Sequence, residues 1–192
     1  MENIQYKILV KIALGLTIAW IAWSLYDGAF KEELSGESHY HAANKYFEDD
    51  MYDNAHNSFQ KALAENPQLI HAKRGIARSL MMLERYDEAL SIFNNIIEQE
   101  PEFSASYANR GILHDRMQNY TAAIADYEKA IQLDPEIAKG PTWLTRFLRN
   151  QAEKPPTILD RMNYLHAEMS KPENQRVLQL PEKDEEQRPY KR

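Results

Sequence analysis

Apolar positions are laid along this chain in two ways. Over residues 8–26 (ILVKIALGLTIAWIAWSLY) they form a continuous run broken only by Lys11. From residue 36 to residue 137 they return at three- and four-residue spacings, the mark of amphipathic helices that bury one stripe. The stretches 105–117 and 120–133 read as two such helices. The polar pairs Asp49-Asp50, Glu84-Arg85 and Gln118-Asn119 read as turns between antiparallel neighbours. Past Gly140-Pro141 the spacing resumes over 142–151, with Trp143, Leu144, Phe147 and Leu148. After Pro155-Pro156 it resumes over 158–169, opened by Thr157 and Asp160 as a capping pair. From residue 172 onward the pattern dissolves into polar and charged residues. Such a segment buries too little apolar area to offset its ordering entropy, so an extended or disordered tail is expected. Its one apolar patch, residues 177–180, could fold back onto the helices or onto another subunit.

The helical region repeats itself. Pro67, Pro101 and Pro135 lie 34 residues apart, as do Ala55, Ala89 and Ala123, then Phe59, Phe93 and Tyr127, then Tyr52, Tyr86 and Tyr120. A fixed period of this length marks stacked helical hairpins, none of which can bury its apolar face alone. The prolines end the second helix of each unit, because proline has no amide hydrogen to donate. Ala43, Ala77 and Gly111 let paired backbones approach, and Phe59, Phe93 and Tyr127 fill the space between hairpins.

The segments 36–69, 70–103 and 104–137 resemble three tetratricopeptide repeats. The third copy carries Tyr107, Gly111, Ala123, Tyr127, Ala130 and Pro135 at the family's positions; the first carries Ala43, Tyr46, Ala55, Phe59, Ala62 and Pro67. The second departs more, with Lys73, Leu80 and Ile96 where an aromatic, an aromatic and a small residue are usual. The resemblance implies an all-α fold, a tetratricopeptide-type helical solenoid of three helix-turn-helix repeats. Residues 138–171 are expected to form a capping helical pair, since a terminal repeat needs a cover for its apolar face. Trp143 and Phe147, beside Arg146 and Arg149, could instead form a docking patch. The remaining parts are an N-terminal anchor over 1–28, a linker over 29–35 and the tail over 172–192.

As a helix, residues 8–26 span about 28 Å, close to the hydrocarbon thickness of a bilayer. Lys11 can snorkel to the headgroups at one end, and Trp20, Trp23 and Tyr26 suit the opposite interface. A cleaved secretory signal is the competing reading. The run is long for one, and Tyr26-Asp27-Gly28-Ala29 offers no small-residue cleavage site. A single-pass transmembrane anchor is therefore expected. Lys7 and Lys11 precede or enter the helix, while Asp27, Glu32 and Glu33 follow it with only Lys31 nearby. The positive-inside bias thus favours a cytoplasmic N-terminus and a repeat domain across the membrane, periplasmic if the membrane is a bacterial inner one.

Composition narrows the function. The net charge of −6 does not suit a nucleic-acid surface. The chain has no cysteine, so no disulfide, thiolate zinc site or lipidated N-terminal cysteine can form. The acidic run Glu48-Asp49-Asp50 with Asp53 lacks calcium-loop spacing. His39, His41, His56, His71, His114 and His166 have no partner at chelating helical spacing, and no nucleophile elbow or phosphate loop occurs. No enzyme activity, cofactor or metal is expected.

The resemblance places a partner-binding groove on the first helix of each repeat, at its second, fifth, ninth, twelfth and thirteenth positions. Candidate groove residues are Tyr40, Asn44, Arg74, Arg78, Met81, Met82, Ile112 and Arg116. Arginine forks suit carboxylates and methionine adapts to varied side chains, so a peptide with acidic and apolar residues is the expected occupant. Relatives that clamp chaperone C-termini use a lysine–asparagine–asparagine–lysine–arginine set. Here Asn44 is kept, but Tyr40, Gly75, Ala105 and Asn109 occupy the other positions. The expected function is a membrane-anchored adaptor, in assembly of an envelope or membrane protein complex, with its hollow face open to a partner. The alternative is a permanent accessory subunit of such a complex, for which Gly15 and Ala19 offer a small-xxx-small contact.

Overall fold

The computed structural model describes residues 4–30, 35–148, 154–180 and 189–190. Linker residues 31–34 with Lys31, Glu32 and Glu33, the end of the 142–151 segment with Arg149, and tail residues 181–188 and 191–192 lie outside the described residues. Two compact units are present, 1–35 and 36–192.

The first unit holds helix α1, Ile4–Phe30. Its stretch Tyr6–Tyr26 has a mean hydropathy of 2.0, long and apolar enough by length and composition to cross a membrane. Leu14, Leu16, Ile18, Trp20 and Trp23 are all exposed along it. Its one hydroxyl in mid-span, Thr17 Oγ1, donates to the Ala13 carbonyl at 2.9 Å, so that polar group is satisfied within the helix.

The second unit contains three antiparallel helix pairs: α2 (Glu37–Glu48) with α3 (Tyr52–Glu65), α4 (Ile70–Met82) with α5 (Tyr86–Gln99), and α6 (Ser104–Arg116) with α7 (Tyr120–Leu133). No strand occurs among the described residues. Each join reverses the chain through one residue in the left-handed region: Asp50 (φ 59°), Glu84 (φ 59°) and Gln118 (φ 63°). A non-glycine residue is strained there, and the position recurs with the repeat.

Phe59, Phe93 and Tyr127 are fully buried, as are Ala43, Ala55, Ala77, Ala89 and Ala123. Close approach explains the small residues. A Cβ at Gly111 would lie 2.7 Å from the Tyr127 ring, and one at Gly75 would strike the Phe59 ring. Tyr127 thus seats on its own hairpin partner, and Phe59 on the first helix of the next repeat. Arg110 sews adjacent units together, donating to both Asp126 carboxylate oxygens at 2.8 and 2.7 Å and to Asn94 at 2.8 Å.

After α7 comes a 3-10 turn, Pro135–Lys139, then the short helix α8 (Trp143–Leu148) and α9 (Ile158–Met169). Thr157 and Asp160 make a reciprocal capping box: the Asp160 N–H donates to Thr157 Oγ1 at 3.2 Å, and the Thr157 N–H to Asp160 Oδ2 at 2.9 Å. α9 packs on α7 with Ile158 and Leu165 fully buried. Trp143 and Phe147 of α8 are 71% and 74% exposed. Residues 176–180 run extended beside α9 as an ordered strip.

Candidate binding groove

The first helices of the pairs, α2, α4 and α6, neighbour one another directly and line one face of the stack. Over the first two repeats this face is built on aromatics. The Tyr40 ring lies 5.8 Å from Phe59 and 4.4 Å edge-on from His71, and Phe47 lies 5.3 Å from Tyr52. Asn44 turns its amide back along α2, donating from Nδ2 to the Tyr40 carbonyl at 2.9 Å.

Two arginines one helical turn apart on α4 meet different fates. Arg74 pairs with Glu100 and stacks its guanidinium 3.7 Å from the centre of the Phe103 ring. Its charge is answered within the protein. Arg78 is only 4% exposed, its Nε has no hydrogen-bond partner, and no carboxylate pairs with it among the described residues. Its guanidinium lies 5.0 Å from the centre of the Phe47 ring. Burial pushes the Arg78 guanidinium down to about 10; Tyr40 and Glu48 oppose the shift and Arg74 adds to it. A buried cation with no carboxylate paired to it is costly to the fold and suited to an anionic ligand.

The third repeat presents a different surface, because the chain's own end lies on it. Asn109, 2% exposed on α6, donates from Nδ2 to the Tyr190 carbonyl at 2.8 Å and accepts the Tyr190 N–H on Oδ1 at 2.6 Å. The Tyr190 ring packs against the core, and its hydroxyl bonds the backbone of Ile158 at the start of α9. Burial pushes that phenol up. Arg161 forks onto Asp115 at 2.7 and 2.9 Å, and its Nη2 also donates to the Leu178 carbonyl at 2.9 Å. Val177 is held at both main-chain groups: its N–H donates to Glu168 Oε2 at 2.8 Å, and its carbonyl accepts from Tyr164 at 2.6 Å. Lys171 and the Val177 amide hold the Glu168 carboxyl below the usual carboxylate range.

The candidate residues therefore separate. Tyr40 and Arg78 lie close on the α2–α4 face, Asn44 bonds back to Tyr40, and half-buried Met82 follows Arg78 by one turn of α4. Met81 and Ile112 are fully buried and belong to the core, so neither offers surface to a partner. Arg74 is committed to Glu100, and Arg116 on α6 is half-buried. The face expected to be open to a partner holds Tyr190 of the chain's own end at Asn109 on α6. Spacing gave no sign of Arg161, Tyr164 or Glu168 as tail-holding residues. Asn109 was marked only by its place in the clamp register.

The tetratricopeptide repeat family's profiles match residues 46–109 and 104–137. Among curated proteins, the DnaJ homolog subfamily C member 7 homolog of Dictyostelium discoideum is 33% identical over 114 residues, 56% of this chain and 21% of its own length. Hsp70-Hsp90 organizing protein 3 of Arabidopsis thaliana is 24% identical over 141 residues, 72% of this chain and 25% of its own. The chain thus spans about a quarter or less of the length of these relatives. Among solved structures, the first TPR domain of human RPAP3 superposes with a TM-score of 0.52 at 19% identity, covering 71% of this chain and 98% of that one. MamA 41-end from Desulfovibrio magneticus RS-1 gives 0.51 at 18%, covering 89% and 100%.

Proposed function

Because residues 46–137 carry tetratricopeptide repeats stacked as a helical solenoid, we propose that this protein is an adaptor, not an enzyme, that holds an acidic segment of a protein partner on its α2–α4 face and is tethered to a bilayer through α1. One observation carries the reading: Arg78, buried and with no paired carboxylate among the described residues, beside Tyr40 and Phe47, with Met82 one helical turn further along α4. A fold keeps such a group against its own stability when a ligand supplies the missing charge. The aromatic and methionine neighbours then take the apolar residues around the acidic one.

This mode differs from a chaperone-tail clamp, because Tyr40, Gly75, Ala105 and Asn109 stand at four of that set's five positions. Gly75 leaves no side chain there, and Asn109 is spent on Tyr190. The tether rests on the length and hydropathy of Tyr6–Tyr26. It would confine capture to partners at the membrane, which fits assembly of a membrane or envelope protein complex. The repeat domain would lie across the membrane from a cytoplasmic N-terminus.

Pull-down from detergent-solubilised membranes with the full chain as bait tests the reading. Arg78→Glu should lower partner recovery at least about tenfold, the loss of one charge-assisted contact replaced by repulsion, with helix content unchanged by circular dichroism. Recovery unaffected by this change would remove the groove from the account. A permanent accessory subunit is the second reading, favoured by Gly15, whose surface has nothing within 4 Å and would admit a neighbouring helix. Fixed stoichiometry on purification selects the subunit; substoichiometric, transient recovery selects the assembly factor.

A further inference from the structure

The tail is held at its main chain, and at three separate residues. Glu168 and Tyr164 take the two backbone groups of Val177, Arg161 takes the carbonyl of Leu178, and Asn109 takes both backbone groups of Tyr190. A carboxamide that bonds one residue's N–H and C=O together imitates a neighbouring strand, and extended peptides are recognised in that way. Side chains add to this at Leu178, which packs against the core, and at Tyr190, whose ring packs there too and whose hydroxyl reaches the backbone of Ile158. Pro189, fixed in φ and without an N–H, stiffens the approach to the tyrosine at no loss of hydrogen bonding.

We propose that the surface between α6 and α9 is a second peptide site, for an extended proline–aromatic segment clamped by Asn109, and that this chain's own Pro189-Tyr190 fills it. The occupant is thus a displaceable ligand in cis, and an equivalent peptide in trans, from a partner or a second copy, can take its place. The site is separate from Arg78 on the α2–α4 face, so it adds to the adaptor reading without depending on it.

The probe is a fluorescein-labelled synthetic peptide of residues 186–192 (EQRPYKR), titrated with the full chain in detergent and read by anisotropy. The wild-type chain, its site filled, should bind weakly. Tyr190→Ala should bind the peptide at least about tenfold more tightly, since emptying a filled site removes the competing population. Methylating the tyrosine amide of the peptide should then cost about tenfold, for one lost hydrogen bond at a buried acceptor. That change leaves the protein untouched, so no folding defect can imitate it. Adding Asn109→Ala to the emptied chain should have the same effect. Equal affinity of the wild-type and Tyr190→Ala chains, or indifference to amide methylation, overturns the proposal. Partner capture through Arg78 is not read in this assay, so its failure leaves the adaptor reading standing.

Discussion

At the scale of single residues, the groove is defined by what each side chain lacks as much as by what it touches. Arg74 and Arg78 are alike in sequence and one helical turn apart. Only the first finds a carboxylate, because Glu100 lies at the end of the neighbouring helix. Arg78 should therefore be a site where stability has been given up. Arg78→Met keeps the aliphatic stem and removes the charge, so we expect unfolding to become harder by about 1 kcal/mol while acidic partners are lost. Chemical denaturation of the variant measures the gain; a clear loss of stability would mean that the guanidinium is internally compensated. The opposite sign is expected at Phe93, which is fully buried between hairpins. Phe93→Ala should cost about 3–5 kcal/mol, enough to consume much of the stability of a small domain and visible as a large fall in melting temperature.

Among the elements, the turns and the cap carry the testable strain. Glu84 sits at φ 59° in an exposed join, where a β-carbon is unfavourable. Glu84→Gly should stabilise by about 0.5–1 kcal/mol, the relief of the left-handed strain less the added freedom of the unfolded chain. A thermal melt that shifts downward would contradict this. The repeat register was legible because it is written in local spacing: Phe59, Phe93 and Tyr127, and the small residues Ala55, Ala89 and Ala123, each return every 34 residues. The turns were read from their polar pairs, but the strain at Glu84 and Gln118 was hidden, since neither is a residue type that announces a positive φ; only Asp50 is of a type enriched there. Thr157 and Asp160 were readable because a capping box closes within four residues. For α8, apolar spacing alone did not decide between a cover and a docking patch at Trp143 and Phe147. The tail's docking was illegible for a deeper reason. It is held through backbone atoms, which every sequence supplies, by side chains scattered from Asn109 to Glu168. The difference between Arg74 and Arg78 was hidden in the same way, by a partner 26 residues distant.

For the molecule as a whole, pH should act on the helical unit through one buried imidazole, His56, and one partly buried, His114. Burial lowers both His56 and His114, against opposing pulls from Glu88 and Asp53 on the first and from Asp126 on the second. A folded value below the unfolded 6.5 means that the unfolded chain binds more protons in this range. Stability is then fully present above about 6.5 and declines as pH falls below it. Melting temperature should drop between pH 7.5 and 5.5, and replacing both histidines with glutamine should flatten that slope. The central claim concerns a face, and a face is best tested by what touches it. A photoreactive amino acid at Met82 on α4, and another at exposed Glu98 on α5, placed in the full chain in native membranes, compare the two sides of the stack. Mass spectrometry of the crosslinks should show Met82 joined to an acidic stretch of one protein, the signal lost with Arg78→Glu, and no such product from Glu98. Crosslinks arising from Glu98 alone, or Met82 products indifferent to the charge at residue 78, would contradict the account.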